Sequence, residues 1–199
     1  MDKQDRYAYQ IGESLYLNLT NACTNDCEFC VRAGSDGIAG YALWLQKEPD
    51  AKEVIAAMGD ISPYKEIVFC GFGEPTMRLD VLKEVAAFIK ERNKTVRLNT
   101  NGLANLYYGR DITEELVGLV DIVSISLNAP SAEEYEAVCH SRYGLSAFDA
   151  LLDFARRCVR LLPQTILSVV DCMEAEKITR CREIAREAGA QFRVRAMIE

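Results

Sequence analysis

The sequence predicts an α/β fold in which parallel strands form one sheet, curled around a polar interior with helices outside. Three observations predict it. Apolar residues switch repeatedly between a period of two and a period near 3.6. Each alternating run is followed by a helical one, the order that gives parallel strands and right-handed crossovers. Several strands keep one consistently polar face, whereas a parallel sheet covered on both faces reads apolar throughout.

The first strand spans Ser14 to Thr20, with Leu15, Leu17 and Leu19 on one face and Tyr16, Asn18 and Thr20 on the other. Asp50 with Glu53 fits a capping pattern that opens a helix. Glu66 to Cys70 is the second strand, after which Leu79, Leu82, Val85, Ala86 and Ile89 recur three or four apart as the apolar stripe of an amphipathic helix. In the third strand, Thr95 to Asn99, Val96 and Leu98 oppose Arg97, Asn99 and, just beyond, Asn101. The fourth, Ile122 to Asn128, sets Val123, Ile125 and Leu127 against Ser124, Ser126 and Asn128. Ser131 with Glu134 and Ser146 with Asp149 fit capping patterns, and the helical stripe Phe148, Leu151, Leu152 and Ala155 follows. Thr165 to Asp171 is the fifth strand and Gly189 suits a helix end. In the sixth, Gln191 to Met197, Phe192, Val194 and Ala196 oppose Arg193 and Arg195. Together the polar faces line a ligand-sized cavity, which a curled sheet provides better than a doubly wound sheet or a filled eight-stranded barrel. The plainer alternative is a sheet whose polar faces lie open to solvent.

The 199 residues are 49% hydrophobic and 27% charged, ordinary for a globular chain, and hold no repeat, low-complexity tract or interdomain linker, so 1–199 reads as a single domain. A chain of this length buries about 70% of its surface on folding, enough for a core without disulfides or a structural metal. Intrinsic disorder is excluded. With 23 basic and 30 acidic residues the net charge is −7, so the whole-chain field does not gather polyanions and bulk nucleic-acid binding is disfavoured. No run approaches about 18 consecutive apolar residues, and the polar start Met1 to Arg6 leads into no signal-like segment, which predicts a cytoplasmic protein with no membrane partner. In such a reducing compartment the eight cysteines stay thiols unless a metal claims them.

Cys23, Cys27 and Cys30 fall within eight residues on the loop after the first strand. A structural zinc takes four ligands in paired short spacings, and Cys70, Cys139, Cys158, Cys172 and Cys181 make no second pair of that kind. Three ligands leave one metal position open. On an iron-sulfur cube, three thiolates bind three irons and leave the fourth for a small molecule, an arrangement suited to catalysis. Phe29 is placed to shield such a cluster and Arg32 to offset its charge.

This run resembles the hallmark of the radical S-adenosylmethionine (SAM) superfamily, Cys-x3-Cys-x2-Cys with an aromatic residue before the last cysteine, here Cys23, Cys27, Phe29 and Cys30. The resemblance covers nearly the whole chain. Gly40-Tyr-Ala-Leu-Trp-Leu45, Cys70-Gly-Phe-Gly-Glu-Pro-Thr76, Arg97-Leu-Asn-Thr-Asn-Gly102 and Ser124-Ile-Ser-Leu-Asn-Ala-Pro130 are similar to the short TatD-associated radical SAM branch. The resemblance implies a TIM-like partial (β/α)6 barrel, with a 4Fe-4S cluster held by Cys23, Cys27 and Cys30 at its C-terminal mouth and SAM across the strand ends. It implies an enzyme that cleaves SAM reductively to methionine and a 5′-deoxyadenosyl radical, which takes hydrogen from an unidentified substrate. Gly71-Phe-Gly-Glu-Pro75 resembles the Gly-Gly-Glu element that receives the methionine amino group; Phe72 stands where the first glycine usually is, so Gly73 and Glu74 carry that role. The resemblance puts cofactor contacts at Asn99, Asn101, Ser126 and Asn128, on the third and fourth strand ends. An inward, unpaired guanidinium is costly, which suits Arg195 or Arg193 to the cofactor carboxylate or a substrate acid.

Roles for Arg193, Cys139 and His140 stay open, the last two on an expected loop. A second enzymatic reading is a glycyl-radical-type activase acting on a protein; a non-enzymatic one is an iron-sulfur scaffold or electron carrier. The implied partners are a small reductant protein such as a flavodoxin or ferredoxin and, from the family name alone, a functional association with a TatD-type DNase. The sequence leaves no room for extensions that bind further clusters, so one cluster is expected. A macromolecular substrate, a partner or self-association is expected to close the open side of the partial barrel.

Overall fold

The computed structural model describes residues 5–196. The chain enters its main sheet as an antiparallel hairpin of β1 (Ala8–Ile11) and β2 (Ser14–Leu17), turned at Gly12 with a φ of +58°. A loop carrying the three clustered cysteines follows, then one helical turn α1 (Val31–Gly34), a small hairpin of β3 (Gly37–Ile38) and β4 (Tyr41–Ala42), and helix α2 (Ala51–Met58). From here every pairing in the main sheet is parallel. Strands β5 (Glu66–Phe69), β6 (Thr95–Thr100), β7 (Ile122–Ser126), β8 (Gln164–Val170) and β9 (Gln191–Arg195) add in sequence order beyond β2. Between them lie α3 (Leu79–Lys90), α4 (Ala104–Tyr108), α5 (Ala132–Cys139), α6 (Ser146–Leu161) and α7 (Ala175–Ala188). β1 and β9 are the edges of this sheet, so the six parallel strands make a partial barrel and do not close.

The apolar strand faces meet the helices. Leu17, Ile67, Phe69, Val96, Leu98, Val123, Ile125 and Leu167 are fully buried in one cluster with Leu82, Val85, Ile89, Leu151 and Phe154. The opposite faces carry polar groups that bond across the strands: Arg97, only 8% exposed, donates to Glu66 at 2.7 Å, and Glu66 also accepts from the Ser14 hydroxyl at 3.0 Å. Glu66 and Arg97 sit on adjacent parallel strands, so this pair ties the floor of the bowl together.

The helix ends follow the local chemistry. Asp50 and Glu53 form a reciprocal capping box, Ser131 accepts from the Glu134 N–H, and Gly189 ends α7 in the left-handed region at φ +77°. Ser146 does not cap. Leu145 already has helical dihedrals, so Ser146 is the first residue inside α6 and its hydroxyl donates instead to the Tyr143 carbonyl at 2.7 Å. Cys139 and His140 are not in a loop: Cys139 ends α5 and His140 is its left-handed cap at φ +44°. The hairpin strand β1 has no counterpart in the sequence reading. It is four residues long with Tyr9 buried on one side, too short for its alternation to stand out. Strands β2, β5, β7 and β8 stop one to three residues before their expected ends, because the chain there bends to build the mouth described next. Met197, expected in the sixth strand, lies outside the described residues.

Candidate active site

At the C-terminal ends of β5 to β9 the bowl opens into a cavity of about 240 Å³. All ten residues that the sequence singles out line it: Cys23, Cys27, Cys30, Gly73, Glu74, Asn99, Asn101, Ser126, Asn128 and Arg195. Asn25, Phe29, Cys70, Thr100 and Val170 line it as well.

The cysteine loop is held from three sides. Arg32 donates to the carbonyls of Asn21 at 3.1 Å and Asn25 at 3.0 Å, gathering the loop around its own guanidinium. The end of α5 is zipped to the loop by backbone bonds: Asp26 donates to the Cys139 carbonyl, Glu28 to that of Val138, each at 3.0 Å, and Arg142 to that of Thr24 at 2.9 Å. On the third side the turn after β5 docks directly, with the Gly73 N–H on the Thr20 carbonyl at 2.9 Å and the Glu74 N–H on the Ala22 carbonyl at 2.8 Å. A side chain at Gly73 has no room, since a Cβ there would lie 2.4 Å from the Thr20 carbonyl oxygen and 2.5 Å from that of Ala22.

Glu74 binds this turn to the end of β6. One oxygen accepts from the Thr76 N–H at 3.1 Å and from the hydroxyls of Thr76 and Thr100, each at 2.7 Å; the other accepts from the Asn101 N–H at 2.8 Å. Burial holds its carboxyl above the ordinary carboxylate range, although these four donors pull it down. The second oxygen takes a single donor and keeps a free lone pair at the cavity. Asn101 is committed to the chain: its amide nitrogen donates to Thr24 at 2.8 Å and reaches the Cys23 sulfur at 3.8 Å, while its oxygen accepts from the Leu103 N–H. Its part in the site is to hold Cys23 and the loop against β6.

Two of the thiols are held toward their uncharged form. Burial, then the Glu74 carboxylate, pushes Cys23 up to about 11. Cys27 is raised by a hydrogen bond with Cys139 and by burial, and Arg32 pulls both thiols back toward ionisation. All three cysteines line the cavity, and among the described residues no three His, Cys, Asp or Glu side chains gather around a single point as one metal ion requires. A cubane asks for separate points, one thiolate to each of three irons.

Further groups lack partners. The side-chain oxygens of Asn99 and Asn128 and the Arg195 Nε are buried with no hydrogen bond, although all three residues face the cavity. Arg195 reaches the Ser126 hydroxyl at 3.4 Å and makes no ion pair among the described residues. Thiols, a glycine-walled turn, unmatched amide oxygens and an unmatched guanidinium fit a cluster together with a zwitterionic nucleoside, which brings hydroxyls, an ammonium and a carboxylate. Sequence reasoning missed Asn25 and left the role of Cys139 open. Asn25 lies between two of the cysteines and donates to the Tyr135 hydroxyl at 2.8 Å, whereas Cys139 is brought to Cys27 only by the packing of α5. The ring of Tyr41 lies against Tyr9 and that of Trp44 against Phe72.

A family model described as "Radical SAM superfamily" matches residues 17–188. The chain is 28% identical over 189 residues to a "Probable GTP 3′,8-cyclase" of Saccharolobus islandicus (strain Y.N.15.51), covering 93% of this chain and 56% of that one. It is 30% identical over 141 residues to the "Tungsten-containing aldehyde ferredoxin oxidoreductase cofactor-modifying protein" of Pyrococcus furiosus, over 67% of this chain and 36% of the other. This chain thus spans about half the length of the curated cyclase relatives it matches. Among solved structures, Streptococcus suis SuiB bound to S-adenosylmethionine superposes with a TM-score of 0.66 at 17% identity, over 92% of this chain and 38% of that one.

Proposed function

The chain belongs to the radical SAM superfamily, an enzyme family whose cofactors are a 4Fe-4S cluster and SAM, and from that premise we propose that it starts its reaction at the cavity described above by taking hydrogen from a substrate. The observation that carries the proposal is the meeting of the three thiols with the unmatched polar atoms of Asn99, Asn128 and Arg195 around one cavity. An electron carrier needs the thiols and has no use for the rest.

When bound, the cluster and SAM supply reductive cleavage of a sulfonium to methionine and a 5′-deoxyadenosyl radical. Cys23, Cys27 and Cys30 would hold three irons, giving up their protons on ligation. Arg32 sets a positive charge beside the thiols, which favours their ionised form. The free lone pair of Glu74 would accept from the methionine ammonium, and the Arg195 guanidinium would meet the methionine carboxylate. Asn99, Ser126 and Asn128 offer acceptors and a hydroxyl to the ribose. Phe29, packed against the core, keeps water from one side of the thiols. The motifs around Gly40, Cys70, Arg97 and Ser124 support the finer reading, a member of the short TatD-associated branch. A small electron-donor protein, such as a flavodoxin or ferredoxin, is the expected partner.

Protein reconstituted with iron and sulfide without oxygen, then given dithionite and SAM, is expected to release 5′-deoxyadenosine. A reduced cluster that never consumes SAM would instead make this a scaffold or an electron carrier.

A further inference from the structure

Strand β9 is in a definite phase. Phe192 packs against the core and Val194 is exposed, so Arg193 and Arg195, which alternate with them, project to the bowl side. Arg195 reaches the cavity mouth. Arg193, half-buried and two residues back along the strand, faces Arg97, Tyr16 and Glu66 on the far strands. Two guanidinium groups therefore share the floor with one carboxylate, and that carboxylate is already bonded to Arg97 at 2.7 Å. Among the described residues Arg193 forms no ion pair, and its buried Nε has no hydrogen-bond partner. Burial, then the nearby Arg97 cation, holds its guanidinium below the ordinary value. In a chain of net charge −7, a half-buried cation whose Nε is buried without a partner costs free energy that a bound anion would return.

We propose that Arg193 anchors an oxyanion of the substrate, carboxylate or phosphate, at the floor of the bowl beneath the cofactor cavity. The planar fork of the guanidinium suits two oxygens of such a group. The anchored substrate then extends from the floor toward the mouth, where hydrogen is taken. This names a substrate class for the radical SAM reading and rests on it.

The test uses native protein, reconstituted without oxygen and saturated with SAM, so that Arg195 is occupied. Phenylglyoxal, which modifies guanidinium groups, is added with and without inorganic pyrophosphate or succinate, and labelled arginines are mapped by mass spectrometry. Either probe is expected to slow labelling of Arg193 at least fivefold and leave exposed Arg186 unchanged; which one protects tells phosphate from carboxylate. In calorimetry Arg193→Gln is expected to weaken binding of the protecting probe at least tenfold, and Arg193→Lys to recover part of it. Labelling of Arg193 at one rate under all conditions, or equal binding by Arg193→Gln and wild type, overturns the proposal. Wild-type 5′-deoxyadenosine formation without probe is measured on the same sample. Cleavage with no protection sinks the anion site alone, whereas protection with no cleavage supports the site and sinks the radical reading.

Discussion

Glu74 is the residue on which the cavity's geometry turns, because its carboxylate receives four donors from three different residues. Glu74→Gln places an NH2 where one oxygen was, against either the Asn101 N–H or the cluster of Thr76 and Thr100 donors. A loss of about 2–4 kcal/mol in urea unfolding is expected, since hydrogen bonds to a charged group are the strong ones and one buried donor is left unmatched. Gly73→Ala puts a methyl group into the Thr20 and Ala22 carbonyls, and overpacking of this kind costs about 1–3 kcal/mol. Because the displaced atoms belong to the cysteine loop, this variant is also expected to hold less iron per chain than wild type after reconstitution, measured by iron analysis. At this scale the sequence was informative where the chemistry is local. Cys23, Cys27 and Cys30 share one loop, so their spacing could be read. Asn101 was legible as a site residue, but its bonds to Thr24 and Cys23 come from a loop some 77 positions away and were not. The contact of Cys139 with Cys27 stayed hidden for the same reason.

Elements that touch nothing at the cavity still set its frame. The connection between β6 and β7 is pinned to α6 through Asp111, which accepts from the Thr113 N–H at 2.9 Å, the Thr113 hydroxyl at 2.6 Å and Arg157 at 2.6 Å. Partial burial pushes the Asp111 carboxyl up, but these bonds win and hold it down to about 2. A folded-state value below the unfolded one, near 3.9, means that the stabilisation is fully present above about pH 4 and disappears as pH falls toward 2. Both partners are more than a third exposed, so solvent screening reduces the contribution to about 1 kcal/mol. Asp111→Asn is therefore expected to unfold about 1 kcal/mol more easily than wild type at pH 7, with the gap closing between pH 4 and 2 in parallel denaturant titrations. The capping residues Asp50, Ser131 and Gly189 were legible because a cap depends on three or four neighbouring residues. Ser146 misled because Leu145 before it already has helical dihedrals, at the end of a turn tied to the cysteine loop by the Arg142 N–H on the Thr24 carbonyl.

Across the whole molecule, the order of the six parallel strands followed from alternation of period, and their polar faces located the interior. The antiparallel edge strand β1 did not, since its place is fixed by long-range bonds such as the Tyr9 hydroxyl on the Cys70 carbonyl at 3.0 Å. The buried cluster between sheet and helices is built chiefly from strand and helix residues. Replacing Cys23, Cys27 and Cys30 together by Ala is thus expected to abolish iron binding while leaving the far-ultraviolet circular dichroism and thermal midpoint close to those of the wild-type protein without iron. The central claim is that these thiolates leave one corner of the cluster open beside the unmatched groups of Asn99, Asn128 and Arg195. Electron paramagnetic resonance of the reduced, reconstituted protein tests it most directly: addition of SAM is expected to change the cluster signal, because the open iron gains a ligand. A signal indifferent to saturating SAM, or one from a cluster with protein ligands at all four irons, would contradict it.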